Sequence, residues 1–140
     1  MDKELIVVKG KVIEQQKSYT AEVGKDIGYE AGAKMIKKHF DENPNDVMAH
    51  FMGRNIIEAL LAQPGCIGIR TFHGLNEVGI RQLVLVGVDK DGNNILEIDT
   101  VDENGKTSKK KGIVADAAKA CPPYCGGSTT ITTTTTSTWW

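Results

Sequence analysis

Every acidic and basic residue of this chain lies at or before Lys119, and the segment from Ala120 to Trp140 carries no charge at all. Threonine is segregated in the same way, with eight of the twelve between Thr129 and Thr138. Such a break is stronger evidence of modular organisation than any single motif here. The sequence therefore divides into a globular domain, 1–119, a Cys-Pro-Pro-Tyr-Cys-Gly-Gly hinge, 120–127, and a Thr-rich tail, 128–140.

Within the first part, 17 basic and 18 acidic residues give a net charge of −1. That balance offers no general attraction to nucleic acid or to an anionic membrane surface. No run approaches the roughly 18 apolar residues of a spanning helix. Met1-Asp2-Lys3-Glu4 leads into no long apolar signal region. A cytoplasmic setting is the default, and a surface or extracellular one follows if Cys121 and Cys125 are bonded to each other. Three cysteines are too few for a disulfide scaffold, and no repeat of solenoid length is visible.

The patterning favours an α+β fold, with two N-terminal helices packed on a small antiparallel β-meander and an extended Thr-rich C-terminal tail. Leu5-Ile6-Val7-Val8 and Val12-Ile13 are too short for periodicity to tell strand from helix. Ser18 to Asp41 is expected as a helix, capped by Ser18 or Thr20 and ended by Asn43-Pro44. Val23, Ile27, Ala31 and Met35 would make its apolar stripe. Gly24, Gly28 and Gly32 also recur every fourth residue. At about 1 kcal/mol each in a helix interior, they imply a flat groove against another helix of this chain or of a neighbour. A second helix is expected over about 47–62, ended by Gln63-Pro64-Gly65. Two β-rich runs then flank a Gly/Asn loop, and with Ile95–Ile98 they suggest a three-stranded meander over 66–100. Helices and strands in blocks favour α+β over a parallel α/β sheet.

The run Leu60-Leu61-Ala62-Gln63-Pro64-Gly65-Cys66-Ile67-Gly68-Ile69-Arg70, followed by Gln82-Leu83-Val84-Leu85-Val86-Gly87-Val88-Asp89 and later by Cys121-Pro122-Pro123-Tyr124-Cys125, resembles a family of small, uncharacterised bacterial proteins. The resemblance covers roughly 45–125 and implies no activity.

Catalytic and metal chemistry find little footing. Asp89-x-Asp91-Gly92-Asn93-Asn94 resembles the start of a calcium loop, but its glycine falls two positions early and its twelfth position is Thr100. A hairpin turn is the better reading. Cys66 and His73 would lie on opposite faces of one strand, with no third group to orient the imidazole. Cys121 and Cys125 lack the two-residue spacing of zinc knuckles and redox sites. They make a structural corner, a local disulfide, or a metal site with Cys66 and a histidine, in that order. Lys106 and Lys109-Lys110-Lys111 follow Glu97, Asp99, Asp102 and Glu103; if 95–100 and 112–117 approach each other these charges face one another across a turn, and a solvated turn is expected rather than a nucleic-acid surface. We expect no catalytic residue, no metal, no cofactor and no enzyme.

The tail carries the functional expectation. Threonine is β-branched and favours extended backbone, and no proline follows Pro123. Such a strand can add to a sheet edge or stack with copies of itself. The expected protein is thus a non-enzymatic structural subunit that self-assembles into a filament or another homo-oligomer. Its interface residues would be Gly24, Gly28, Gly32, Ile131, Trp139 and Trp140, and its partner is itself. The alternative is a precursor of a ribosomally made, modified peptide, with leader 1–127 and Thr-rich core 128–140.

Overall fold

The computed structural model describes residues 3–16, 18–123, 129–132 and 136–139. Strands hold 38% of the chain, and that share overturns the expected arrangement of two N-terminal helices on a small meander. The protein is mostly β-sheet, and its two helices are short and preceded by strands.

The first pair, β1 (Lys3–Val8) and β2 (Lys11–Gln16), is antiparallel, from Lys3↔Gln16 to Val8↔Lys11. Only Lys9 and Gly10 connect them, both at positive φ (51° and 74°). That is a primed hairpin turn, whose twist matches the strands it joins. The ambiguous apolar runs are therefore strands.

The expected helix from Ser18 begins ten residues late. Helix α1 spans Gly28–Glu42, because Gly24 and Gly28 stand at φ 106° and 79°, values outside the right-handed helical region. Thr20 does nucleate a turn, its carbonyl accepting from Val23 N–H and its hydroxyl from Glu22 N–H, but that turn does not propagate. The C-terminus is as expected. Asn43 caps it, its backbone N–H and its amide Nδ2 both donating to the His39 carbonyl. No residue of α1 is buried, so the stripe of Val23, Ile27, Ala31 and Met35 is not a core face.

The second expected helix splits. Strand β3 (Ala49–Phe51) comes first, then α2 (Arg54–Leu61). Residues 49–51 are drawn into pairing with β9 (Lys119–Cys121), Ala49 opposite Cys121, and Met48 N–H extends that ladder to the Cys121 carbonyl at 2.7 Å. A partner about seventy residues away overrides the local helical pattern.

Strands β4 (Gly68–Leu75) and β5 (Arg81–Val88) form the expected hairpin. The third strand of their sheet is β8 (Val114–Ala115), in the order β4-β5-β8. The expected third strand of the meander instead leaves. Residues 94–95 touch the end of β5 through the Val88↔Asn94 bridge and Ile95 N–H to Gly87 O. The chain then departs as β6 (Glu97–Val101), paired only with β7 (Thr107–Lys111). Gly112 makes the crossing possible. Its N–H donates to Leu96 O at 2.8 Å, and a Cβ there would lie 2.3 Å from Ile95 O. In the tail, β10 (Thr129–Thr132) pairs antiparallel with β11 (Thr136–Trp139).

The chain comprises two compact units. One takes in Met1–Gly24, Glu58–Arg70 and Leu85–Val114, and its buried apolar residues are Leu60, Leu85, Val86, Val88 and Ile95. The other takes in Lys25–Ile57, Thr71–Val84 and Ala115–Trp140, and among its described residues Ala115 and Cys121 are the buried ones.

Candidate assembly surfaces

The segment 60–70 is tied down by one buried side chain. Gln63 is buried. Its Nε2 donates to Leu60 O at 3.0 Å, and its Oε1 accepts from Ile113 N–H at 2.8 Å. The amide thus ties the end of α2 to the irregular segment that leads into β8. Gly87 lies against it, where a Cβ would stand 2.7 Å from Gln63 Nε2 and 3.0 Å from Cys66 Sγ. Cys66 is a free, half-buried thiol that donates to Gly68 O at 3.2 Å. It acts there as a packing residue, with its proton engaged by backbone rather than by a histidine. Beside this tie, Arg70 Nη1 donates to Gly92 O and Asn94 Oδ1. Its guanidinium also lies 5.6 Å from the Tyr19 ring centre, a cation–π distance. Among the described residues no group of three His, Cys, Asp or Glu side chains could hold a metal ion.

The calcium-like stretch is a hairpin turn, one of three built alike. Asp89 Oδ1 accepts from Asp91 and Asn93 N–H, each at 2.9 Å. Asp102 Oδ1 does the same for Asn104 and Lys106, and Asn76 Oδ1 for Val78 and Ile80. Gly79, Gly92 and Gly105 occupy the fourth position of each turn at φ 82°, 82° and 76°. The pattern Asx-x-x-Gly starts at 76, 89 and 102. This period of thirteen residues is visible in the sequence and is shorter than a solenoid repeat.

The turn at 102–106 leads the acidic strand β6 back as the basic strand β7. Glu97 lies opposite Lys111, and Asp99 opposite Lys109. Lys109 Nζ reaches Asp99 Oδ1 at 3.0 Å and Glu97 Oε2 at 3.9 Å. The hydrogen bond to Asp99, its charge, and then that of Glu97 raise the Lys109 pKa above the ordinary lysine value. The lysine cluster is therefore partly neutralised by its own ribbon; the charges oppose one another across strands 97–101 and 107–111 rather than 95–100 and 112–117, and Lys109, Lys110 and Lys111 lie in a strand instead of a turn.

The sequence-expected interface residues disperse. Gly24 lies in the irregular segment before α1 and Gly28 opens the helix, both with open space where a Cβ would stand, while Gly32 is in the second turn. They do not form a three-glycine helical groove. Ile131 and Trp139 sit on β10 and β11, and Trp140 lies outside the described residues. Cys121 is buried and is not a free thiol. Cys125 lies outside the described residues. His50 Nε2 donates to Arg81 O at 3.0 Å, and Arg81 pairs with Asp46 at 3.0 Å. These contacts join 46–50 to the start of β5 and leave the imidazole in a structural role.

What remains open is sheet edge and apolar ribbon face. Among the described residues, β1–β2, β6–β7, β3–β9 and β10–β11 are each two-stranded, so every one of these strands has an edge without a strand beside it. The first ribbon also exposes a row that sequence reasoning missed. Leu5, Val7 and Val12 are 73%, 69% and 65% exposed. The register places all three on one face, with Val7 directly opposite Val12. Alternation within β1 could have indicated that face, had the run been recognised as a strand. No helix among the described residues is long and apolar enough to cross a membrane. No family model, curated protein or solved structure matches this chain.

Proposed function

We propose that this protein is a non-enzymatic structural subunit that assembles with copies of itself, the Thr-rich C-terminal segment adding to a neighbouring subunit. The observation that supports this reading best is the set of two-stranded ribbons with open edges, the tail among them. A lone two-stranded ribbon is marginal in water, and its unpaired N–H and C=O groups are a template for another strand. Natural edges are blunted by charge or proline. The β6–β7 ribbon follows that rule with its lysines and carboxylates, whereas 128–140 has neither device. In this reading the neighbour meets the edge of a ribbon rather than a single extended strand. No cofactor and no nucleic acid takes part, and a Cys121–Cys125 disulfide would fasten the base of the tail.

Electron microscopy of the full chain beside a version ending at Cys125 tests the proposal. Filaments or rings in the full-length sample alone are expected. Small dispersed particles in both samples at high concentration would remove the tail as an assembly element. The mass of the native protein separates the precursor alternative, since cleavage after Gly127 or loss of one water per modified threonine would favour a processed core.

A further inference from the structure

We infer that the exposed face of the N-terminal ribbon β1–β2 is a second self-association surface, whose occupant is the same face of another copy. The face carries Lys3, Leu5 and Val7 from β1, with Val12 and Glu14 from β2. The row next to the turn, Val7 and Val12, is apolar, Leu5 lies opposite Glu14 in the next row, and Lys3 in the row beyond pairs diagonally with that carboxylate at 3.9 Å. A lipid surface would favour a net cationic rim, whereas this rim sums to zero.

That pattern is self-complementary. A two-fold axis running along the ribbon stacks β1 of one copy over β2 of the other. In the observed register, Val7 then covers Val12 of the second copy, and Leu5 covers the aliphatic stem of its Glu14. Lys3 lies one row from that same carboxylate. Each cation thereby meets an anion of the second copy as it does its own, and no like charges are opposed. Such a two-fold contact uses one patch on both partners, and the aligned stacking of two sheets accommodates it. Three apolar residues a side fall well below the roughly 800 Å² per partner of a stable interface. The contact is therefore reversible and gains strength where copies are already held together by other sites.

The inference rests on the reading of this chain as self-associating, and it names a different surface from the tail. Sedimentation velocity of full-length chains tests it with Lys3→Glu and Glu14→Lys, both at exposed side chains, and with Val7→Asp in the apolar row. Circular dichroism confirms that each variant keeps the fold. Lys3→Glu or Glu14→Lys alone brings like charges together both within a ribbon and between copies, so association should weaken by tenfold or more. An equal mixture of the two keeps the like-charge pairs within each ribbon but restores opposite pairs between copies. It should recover association, which a purely intramolecular role for the ion pair cannot explain. Val7→Asp should abolish the contact alone and in every mixture. Single variants that associate like wild type, or a mixture no better than its components, would overturn the inference. Charge-dependent dimers without larger particles would uphold this face and count against the tail. Tail-dependent filaments indifferent to all three substitutions would do the reverse.

Discussion

Replacing Gly87 by alanine tests whether the buried Gln63 amide organises its unit. The added methyl would meet Gln63 Nε2 at 2.7 Å, Cys66 Sγ at 3.0 Å and Ile95 Cδ1 at 3.5 Å. A flexible side-chain end could swing away at small cost, but both ends of this amide are held, to Leu60 O and by Ile113 N–H. If Gln63 stays, the core is overpacked at about 1–3 kcal/mol. If it moves, the Ile113 N–H loses its acceptor at about 1–3 kcal/mol. Alanine recovers about 0.4–1 kcal/mol by narrowing the unfolded ensemble. The net expectation is a loss of about 1 kcal/mol, against a typical stability of about 5–15 kcal/mol. Urea unfolding followed by far-UV circular dichroism should show the midpoint falling by about 0.5 M. The decisive comparison is a double-mutant cycle with Gln63→Ala, which removes the atom that the methyl would strike. The double variant should lose at least 1 kcal/mol less than the sum of the singles. A Gly87→Ala change below about 0.5 kcal/mol, or additivity in the cycle, would refute the reasoning.

Three further outcomes follow from the same geometry. Asp89→Ala and Asp102→Ala each remove a carboxylate oxygen that accepts two backbone N–H groups, and thermal melts should show losses of about 0.5–1.5 kcal/mol each. Asparagine at either position retains the acceptor and should recover most of the loss, as Asn76 already demonstrates. Arg70→Lys keeps the charge but not the planar donor group that spans Gly92 O and Asn94 Oδ1. Hydrogen exchange should therefore quicken in the 89–93 turn, while an unchanged rate would show the turn to be self-sufficient. Lys109 has its pKa raised in the folded chain, chiefly by the hydrogen bond to Asp99. A raised value stabilises the fold below the unfolded lysine pKa, and that contribution is lost as pH rises through the folded one. In NMR titration Lys109 should deprotonate at a higher pH in wild type than in Asp99→Asn, and equal values would show that the pair is not populated.

Local chemistry made much of the sheet readable. The β4–β5 hairpin was legible because both arms are rich in β-formers and a Gly/Asn turn separates them. The end of α1 was legible because Asn43-Pro44 stops a helix by itself. The acidic then basic residues around the Asp102–Gly105 turn pointed to charges opposed across a turn, but not to the strand that Thr107–Lys111 forms. The start of α1 was misread because a fourfold glycine spacing looks helical until two of those glycines take positive φ. The candidate site suffered the same way, since the glycine groove depended on that helix. The Leu5, Val7 and Val12 face depended on a strand assignment that six residues could not supply.

The sequence by itself determined the turns, the charge-free tail and the hairpin at the centre, since each follows from backbone preferences acting over a few residues. Only the tertiary structure decided that 49–51 is strand, that β8 displaces β6 beside β5, and that Gln63 is a buried tie. The partners concerned are Cys121 for Ala49, Leu96 for Gly112 and Ile113 for Gln63. Each lies sixteen or more residues away, where closing the loop, pairing backbone groups and burying an amide are settled together and no local propensity records the outcome.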